Sequence, residues 1–312
     1  VSGALKMDYQ AFLESKRIST PNVGFDIPAD ELNPLLKPWQ RLIVQWALKR
    51  GRAALFEDCG LGKTFQQLEW GRHVYEKTVA GNILLLCPIV VAEQTLREAK
   101  RFGIQAPCRI IEDGSEVAPG INICNYEKLH RLADQKFSGV ILDESSILKN
   151  YTGKTKQQLC EQFHSVRFKL ACTATPAPND HMELGNHSEF LGVMNSNEML
   201  ARWFINDTMK SGGYRVSKHA ENDYWQWVCS WAVAIAKPSD IGFGDEGYVL
   251  PSLNIIEHVV ESKTPPGFLF NAGKSVSATK VHVEKRAALI EKAAIVNSLI
   301  RDEPSESWVV WV

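Results

Sequence analysis

Cys59-Gly60-Leu61-Gly62-Lys63-Thr64 brings together residue types that handle phosphate. Glycines let main-chain N–H groups turn inward around anionic oxygens, and a helix beginning there adds a favourable dipole. Lys63 then reaches the β and γ phosphates of a nucleotide such as ATP, and the Thr64 hydroxyl holds Mg²⁺. The full pattern G-x-x-x-x-G-K-S/T is not met, because Glu57 stands where its first Gly belongs. The same residues also suit a plain Gly-rich strand-to-helix turn carrying an exposed lysine.

A second group narrows that choice. Gly139-Val140-Ile141-Leu142 reads as an apolar strand ending in Asp143-Glu144. A carboxylate at a strand tip is where a phosphate-loop enzyme needs its further Mg²⁺ contact, so Asp143 is the expected metal ligand. Glu144 is expected to orient and deprotonate an attacking water, which makes Lys63 and Glu144 the catalytic candidates. Thr173-Ala174-Thr175-Pro176 follows another apolar run, and its hydroxyls are placed to bond the carboxylates and sense the γ-phosphate; taken alone it is a Thr/Pro turn. Upstream, Gln40 offers a side-chain donor and acceptor that match an adenine edge, although an isolated Gln is more often solvated.

The elements that must position these residues follow from periodicity. Strands are expected at Ala53–Phe56, Ile83–Cys87, Arg109–Ile111, Ile121–Cys124, Val140–Leu142 and Lys169–Cys172. Helical patterns such as Glu93–Phe102 and Lys154–Phe163 lie between several of them. Near-continuous apolar strands alternating with helices imply an α/β fold, a parallel sheet covered on both faces, with binding at the carboxyl ends of the strands. After Leu191 the chain becomes aromatic: residues 195–235 hold Trp203, Trp225, Trp227 and Trp231, with Tyr214 and Tyr224. Two readings apply, an insertion packing on the main sheet or a platform for nucleotide bases. A Pro-, Gly-, Ser- and Thr-rich linker follows, then a helical pattern over Glu284–Arg301 and an apolar run Ser307–Val312 that reads as a strand.

Taken in order, these motifs resemble superfamily 2 helicases and translocases, nearest the Swi/Snf-like branch. Gln40, Gly60–Thr64, Asp143–Glu144 and Thr173–Pro176 match that family's Gln motif, G-L-G-K-T loop, D-E-x-x box and T-x-T-P motif. Leu85-Leu86-Cys87-Pro88 resembles the strand-plus-Pro motif, and Asn125-Tyr126-Glu127 resembles the S-Y-E element. The resemblance places Pro88, Asn125 and Tyr126 along a nucleic-acid path. Ser146 replaces the branch's usual His in D-E-x-H-x-x-K-N. The Ser-Ser box and the Gly212-Gly213-Tyr214 insertion are most similar to phage or prophage members.

The resemblance implies a RecA-like P-loop lobe that uses ATP and Mg²⁺, acts on DNA (RNA remains open), and works against a second RecA-like lobe. That second lobe supplies an arginine finger whose loss lowers turnover by about 10³-fold or more. The expected organisation is an N-terminal extension over 1–34, the ATP-binding lobe over 35–192, the aromatic-rich insertion and return to the lobe over 193–263, a linker over 264–283, and the start of a second lobe over 284–312. Two other classes fit part of the pattern: a P-loop ATPase acting on a protein or small molecule, and a non-catalytic nucleic-acid-binding module.

Composition is compatible with all three. The 312 residues are 45% hydrophobic and 23% charged, ordinary globular values that argue against a disordered tail. With 35 Lys plus Arg against 36 Asp plus Glu the net charge is -1, which argues against binding nucleic acid by bulk charge and leaves a local basic groove open. Seven cysteines without a C-x-x-C pair argue against a zinc ribbon or disulfide framework and for a reducing compartment. The resemblance to phage or prophage members adds the expectation of a cytoplasmic location in a bacterium or phage-infected host. The longest apolar run, Ile83–Ala92, is ten residues and contains Pro88, too short for a membrane span.

Overall fold

A computed structural model describes residues 20–150, 153–207, 213–249, 251–260, 286 and 289–311. Its centre is a seven-stranded sheet built from β1 (Arg52–Glu57), β2 (Asn82–Cys87), β3 (Cys108–Ile110), β4 (Gly120–Asn125), β5 (Gly139–Asp143), β6 (Phe168–Cys172) and β9 (Ala232–Ile235). The spatial order is β3-β4-β2-β5-β6-β1-β9. Every pairing in it is parallel. The separate hairpin of β7 (Phe204–Asp207) and β8 (Gly213–Val216) is antiparallel.

Strand pleating explains the two-sided core. In β1, Ala53 and Leu55 join one apolar cluster while Ala54 and Phe56 join the other. In β2, Ile83, Leu85 and Cys87 face the first, and Leu84 and Leu86 the second. A strand apolar on both faces is stable only when helices cover both. α1 (Pro38–Arg50), α2 (Lys63–Lys77) and α3 (Ala92–Arg101) cover the first face through Trp39, through Phe65 and Trp70, and through Ala92 and Ala99. α4 (Lys154–Gln162), α5 (Leu184–Leu191), α6 (Ser196–Trp203) and α7 (Glu221–Cys229) cover the second through Leu159, Phe190, Met199 and Trp227.

The six expected strands form, with no end displaced by more than one residue. Most of the aromatic stretch is packing: Trp203, Trp227, Trp231 and Tyr224 are buried in the second cluster, Trp225 packs partly buried against it, Tyr214 is exposed, and the rings of Trp227 and Trp231 lie 5.4 Å apart. A platform for stacked bases needs open ring faces, which the buried rings do not offer. β9, which is not among the expected strands, pairs with β1 at the sheet edge.

The chain divides after Val249 into two compact units. In the second unit, residues 251–260 are irregular and mostly exposed, and α8 (Leu289–Asp302) is its described helix. Ser307–Trp311 is not a strand: it is irregular and exposed, with Trp308 Nε1 donating to the Glu303 carbonyl at 3.3 Å. An apolar run becomes a strand only where another backbone pairs with it, and no described residue of this unit does so. The expected linker core, 264–283, and Gly212 lie outside the described residues. Among the described residues, no helix is long and apolar enough to cross a membrane.

Candidate active site

The order of the central strands sets out the site. β6 lies between β1 and β5, and Cys172 at its end pairs with Leu55 on one side and Asp143 on the other. The residues that follow these three tips therefore form a row: Glu57–Thr64 after β1, Thr173–Pro176 after β6, Asp143–Glu144 at β5. Next along the same edge come Pro88 after β2 and Asn125–Tyr126 after β4. Carboxyl ends of parallel strands are where such sheets bind ligands.

The Cys59–Thr64 loop leads into α2. Gly62 is its N-cap, with φ 80 and ψ 33, a left-handed conformation that favours glycine. A Cβ there would stand 2.6 Å from Gln40 Nε2, so a larger residue would have to displace the amide that holds the loop. Asp58, Cys59 and Gly60 are exposed, whereas Leu61 is buried as the loop's apolar anchor. Gln40 holds the loop from beneath. Its Nε2 donates to the Leu61 carbonyl at 2.9 Å, and its Oε1 accepts from the Lys37 amide at 2.9 Å. Both ends of the amide are thus engaged within the protein, instead of standing open to a nucleotide base.

Lys63 Nζ donates to the carbonyls of Glu57 at 2.8 Å and Asp58 at 3.0 Å. Below it, the Glu57 carboxyl is fully buried, and Oε2 accepts from Gln66 Nε2 at 2.7 Å. Burial pushes this acid up to about 7, against the opposing pull of the Gln66 hydrogen bond and the Lys63 charge. The next side chain on the helix serves the other strand tip: Gln67 Nε2 donates to Asp143 Oδ1 at 2.7 Å. Burial raises the Asp143 carboxyl, while the Gln67 hydrogen bond works to lower it.

Glu144 has φ 52 and ψ 52, a left-handed backbone that costs a non-glycine residue about 1–2 kcal/mol. Neighbours on several elements support this turn. Thr173 Oγ1 donates to Glu144 Oε2 at 3.3 Å and accepts from the Thr175 amide at 3.1 Å. Buried His187 places Nε2 3.2 Å from Ser145 Oγ, and Asn186 Nδ2 donates to the carbonyls of Leu148 at 2.9 Å and Lys149 at 3.2 Å. Burial holds the His187 imidazole down at about 4, so it is neutral near pH 7.

The structure turns the S-Y-E element inward. The Tyr126 ring is buried and its hydroxyl donates to the Asp143 carbonyl at 2.7 Å. Asn125 is also buried, and its Oδ1 accepts from the Lys128 amide at 3.1 Å. These side chains support the β5 tip and its neighbouring turn, not an open nucleic-acid path. Desolvating a phenol ring is favourable once its hydroxyl has a partner, and the Asp143 carbonyl supplies one. Pro88 is half-buried, with Ile89 and Val90 exposed after it. Gln66, Gln67, Asn186 and His187 are the site's unanticipated supports. Polar letters at buried helical spacing were their only sequence signal.

Against known families, residues 39–222 match the SNF2-related domain. The chain belongs to this family. The DNA excision repair protein ERCC-6-like of Bos taurus is 24% identical over 156 residues, covering 44% of this SNF2-related chain and 12% of that protein. The Sulfolobus solfataricus SWI2/SNF2 ATPase core in complex with dsDNA has a TM-score of 0.57 at 20% identity, covering 67% of this chain and 46% of its own. The Sulfolobus solfataricus SWI2/SNF2 ATPase core domain gives 0.53 at 19%, with 69% and 48% covered. These structures share the RecA-like α/β fold, and this chain spans less than half of each.

In this SNF2-related lobe the residues fit a nucleotide with a hard divalent cation. Thr64 and Asp143 provide oxygen donors, one hydroxyl and one carboxylate, the sparse set by which Mg²⁺ is held together with substrate phosphates. Among the described residues, no cluster of three or more His, Cys, Asp or Glu could hold a metal by itself.

Proposed function

We propose that this chain is the nucleotide-binding lobe of an ATP-dependent DNA translocase or helicase that hydrolyses ATP to ADP and phosphate. The observation that carries the reading is the row of three strand tips, in which Lys63, Thr173 and Asp143–Glu144 share one edge across β6. Lys63 leaves the Glu57 and Asp58 carbonyls and donates to phosphate oxygens, an exchange of neutral acceptors for charged ones. Thr64 and Asp143 would hold Mg²⁺, which when bound neutralises charge on the phosphates. Glu144 orients water and takes its proton on a carboxylate oxygen, while Thr173 restrains the side chain through Oε2. The dsDNA bound to the archaeal ATPase core supports DNA as the partner. A second RecA-like lobe completes the charge stabilisation. The free thiols of all seven cysteines support a reducing, cytoplasmic setting.

Titration with a fluorescent ATP analogue and Mg²⁺ tests the reading, with Lys63→Ala alongside and with DNA present or absent. Saturable binding that weakens by about tenfold or more in the variant is expected, from loss of a charge-assisted hydrogen bond. Equal binding by both proteins would overturn the phosphate-loop assignment. Binding with no response to DNA would redirect the reading to an ATPase acting on another partner.

A further inference from the structure

α2 carries two site functions on one face. Thr64 stands in its first turn, and Gln67 follows three residues later, so helical spacing sets the two side chains one above the other. Gln67 is fully buried, and its Nε2 meets Asp143 Oδ1 at 2.7 Å. Its Oε1 finds no hydrogen-bond donor. The fold therefore leaves one end of a buried amide unsatisfied while holding the other on the aspartate, which points to the donor end as the selected feature.

We propose that Gln67 is a positioning residue for the cation of the bound nucleotide, fixing the Asp143 carboxylate so that its second oxygen addresses the metal beside the Thr64 hydroxyl. The inference rests on the nucleotide reading above. The Tyr126 hydroxyl restrains the main chain of Asp143 from its carbonyl at 2.7 Å, and Gln67 restrains the side chain. A neutral amide suits this task. It fixes a rotamer without cancelling the charge that attracts a cation, whereas Lys or Arg would oppose the metal and Glu would repel the aspartate. Gln66, the neighbouring residue, turns to Glu57 instead, so the two amides divide between the β1 and β5 tips.

The test is equilibrium binding of a fluorescent ATP analogue to the full chain, measured once with Mg²⁺ and once with EDTA. The variants are Gln67→Met, which keeps length without a donor, and Gln67→Ala. The wild type should bind more tightly with Mg²⁺. Both variants should keep the EDTA affinity within about twofold and lose about tenfold or more of the Mg²⁺-dependent gain, the usual scale for an outer-shell metal partner. If either folded variant keeps the full gain, or if both weaken equally with Mg²⁺ and EDTA, the positioning role is overturned while the nucleotide site stands. A wild type that binds without any Mg²⁺ gain also overturns it. A wild type that binds no nucleotide defeats the underlying reading and this inference together.

Discussion

Lys63 Nζ rests 2.8 Å from the main-chain carbonyl of Glu57, the residue standing where other phosphate loops begin with glycine. The ammonium is thus held at the strand tip by its own loop, directly above a buried acid whose ionisation its charge favours.

On the proposed reading, Lys63 serves phosphate binding more than it supports the fold. In urea unfolding, Lys63→Ala should lower the unfolding free energy by no more than about 0.5–1 kcal/mol, because one carbonyl it leaves lies on exposed Asp58 and its bond to the Glu57 carbonyl is only partly buried. The same variant should bind nucleotide poorly. A collapse of stability with it would show that the parked lysine holds the loop together.

Glu57 and His187 should impose opposite pH dependences on stability. Glu57 moves from 4.5 to about 7 on folding, so between those values the unfolded chain releases a proton that the folded protein keeps, and stability falls as pH rises. His187 moves from 6.5 to about 4, so in that window the unfolded chain binds a proton that the folded protein refuses, and stability falls as pH drops. Each slope is about 1.4 kcal/mol per pH unit at most, and they offset one another where the windows overlap. Urea midpoints from pH 5 to 6.5 should show Glu57→Gln gaining stability with pH and His187→Gln losing it, relative to a flatter wild type. Parallel profiles for all three proteins would refute this assignment.

Tyr126→Phe removes one hydroxyl and strands the buried Asp143 carbonyl. A loss of about 1–3 kcal/mol is expected in chemical unfolding. If Tyr126 instead met a nucleic acid, the variant would weaken DNA binding at unchanged stability.

Trp231 is fully buried and meets Trp227 and Phe56 at ring distances of 5.4 and 6.1 Å. Trp231→Ala should cost about 3–5 kcal/mol, the range for a large aromatic removed from a core. Loss of nucleic-acid affinity without loss of stability would restore the base-platform reading.

The parallel sheet was legible because its central strands are apolar on both faces, and runs such as Ile83–Cys87 can hardly be anything else when turn residues bound them. β9 was not, because Ala232–Ile235 is short and lies among tryptophans that suggested an insertion. Gly60–Thr64, Asp143–Glu144 and Thr173 announced themselves by type and spacing, and the structure brings them to one edge. The supports did not. Gln67 and Asn186 are ordinary letters whose partners lie far along the chain, so only the folded register gives them meaning, and Tyr126 was expected along a nucleic-acid path, not bonded to the Asp143 carbonyl. Gln40 was legible as a polar residue near the loop, but its hold on Leu61 depends on how closely α1 approaches Gly62.

The strand order also bears on how a growing chain acquires this site. β1 emerges early, yet its two neighbours in the sheet, β6 and β9, are synthesised long after it. Pairing across such separations must overcome a large loop-closure entropy before any ladder rewards it. During synthesis the phosphate loop therefore follows a strand without a lateral partner until residue 168 is available. The part of the molecule that reads first as a sequence is among the last to be fixed as a structure.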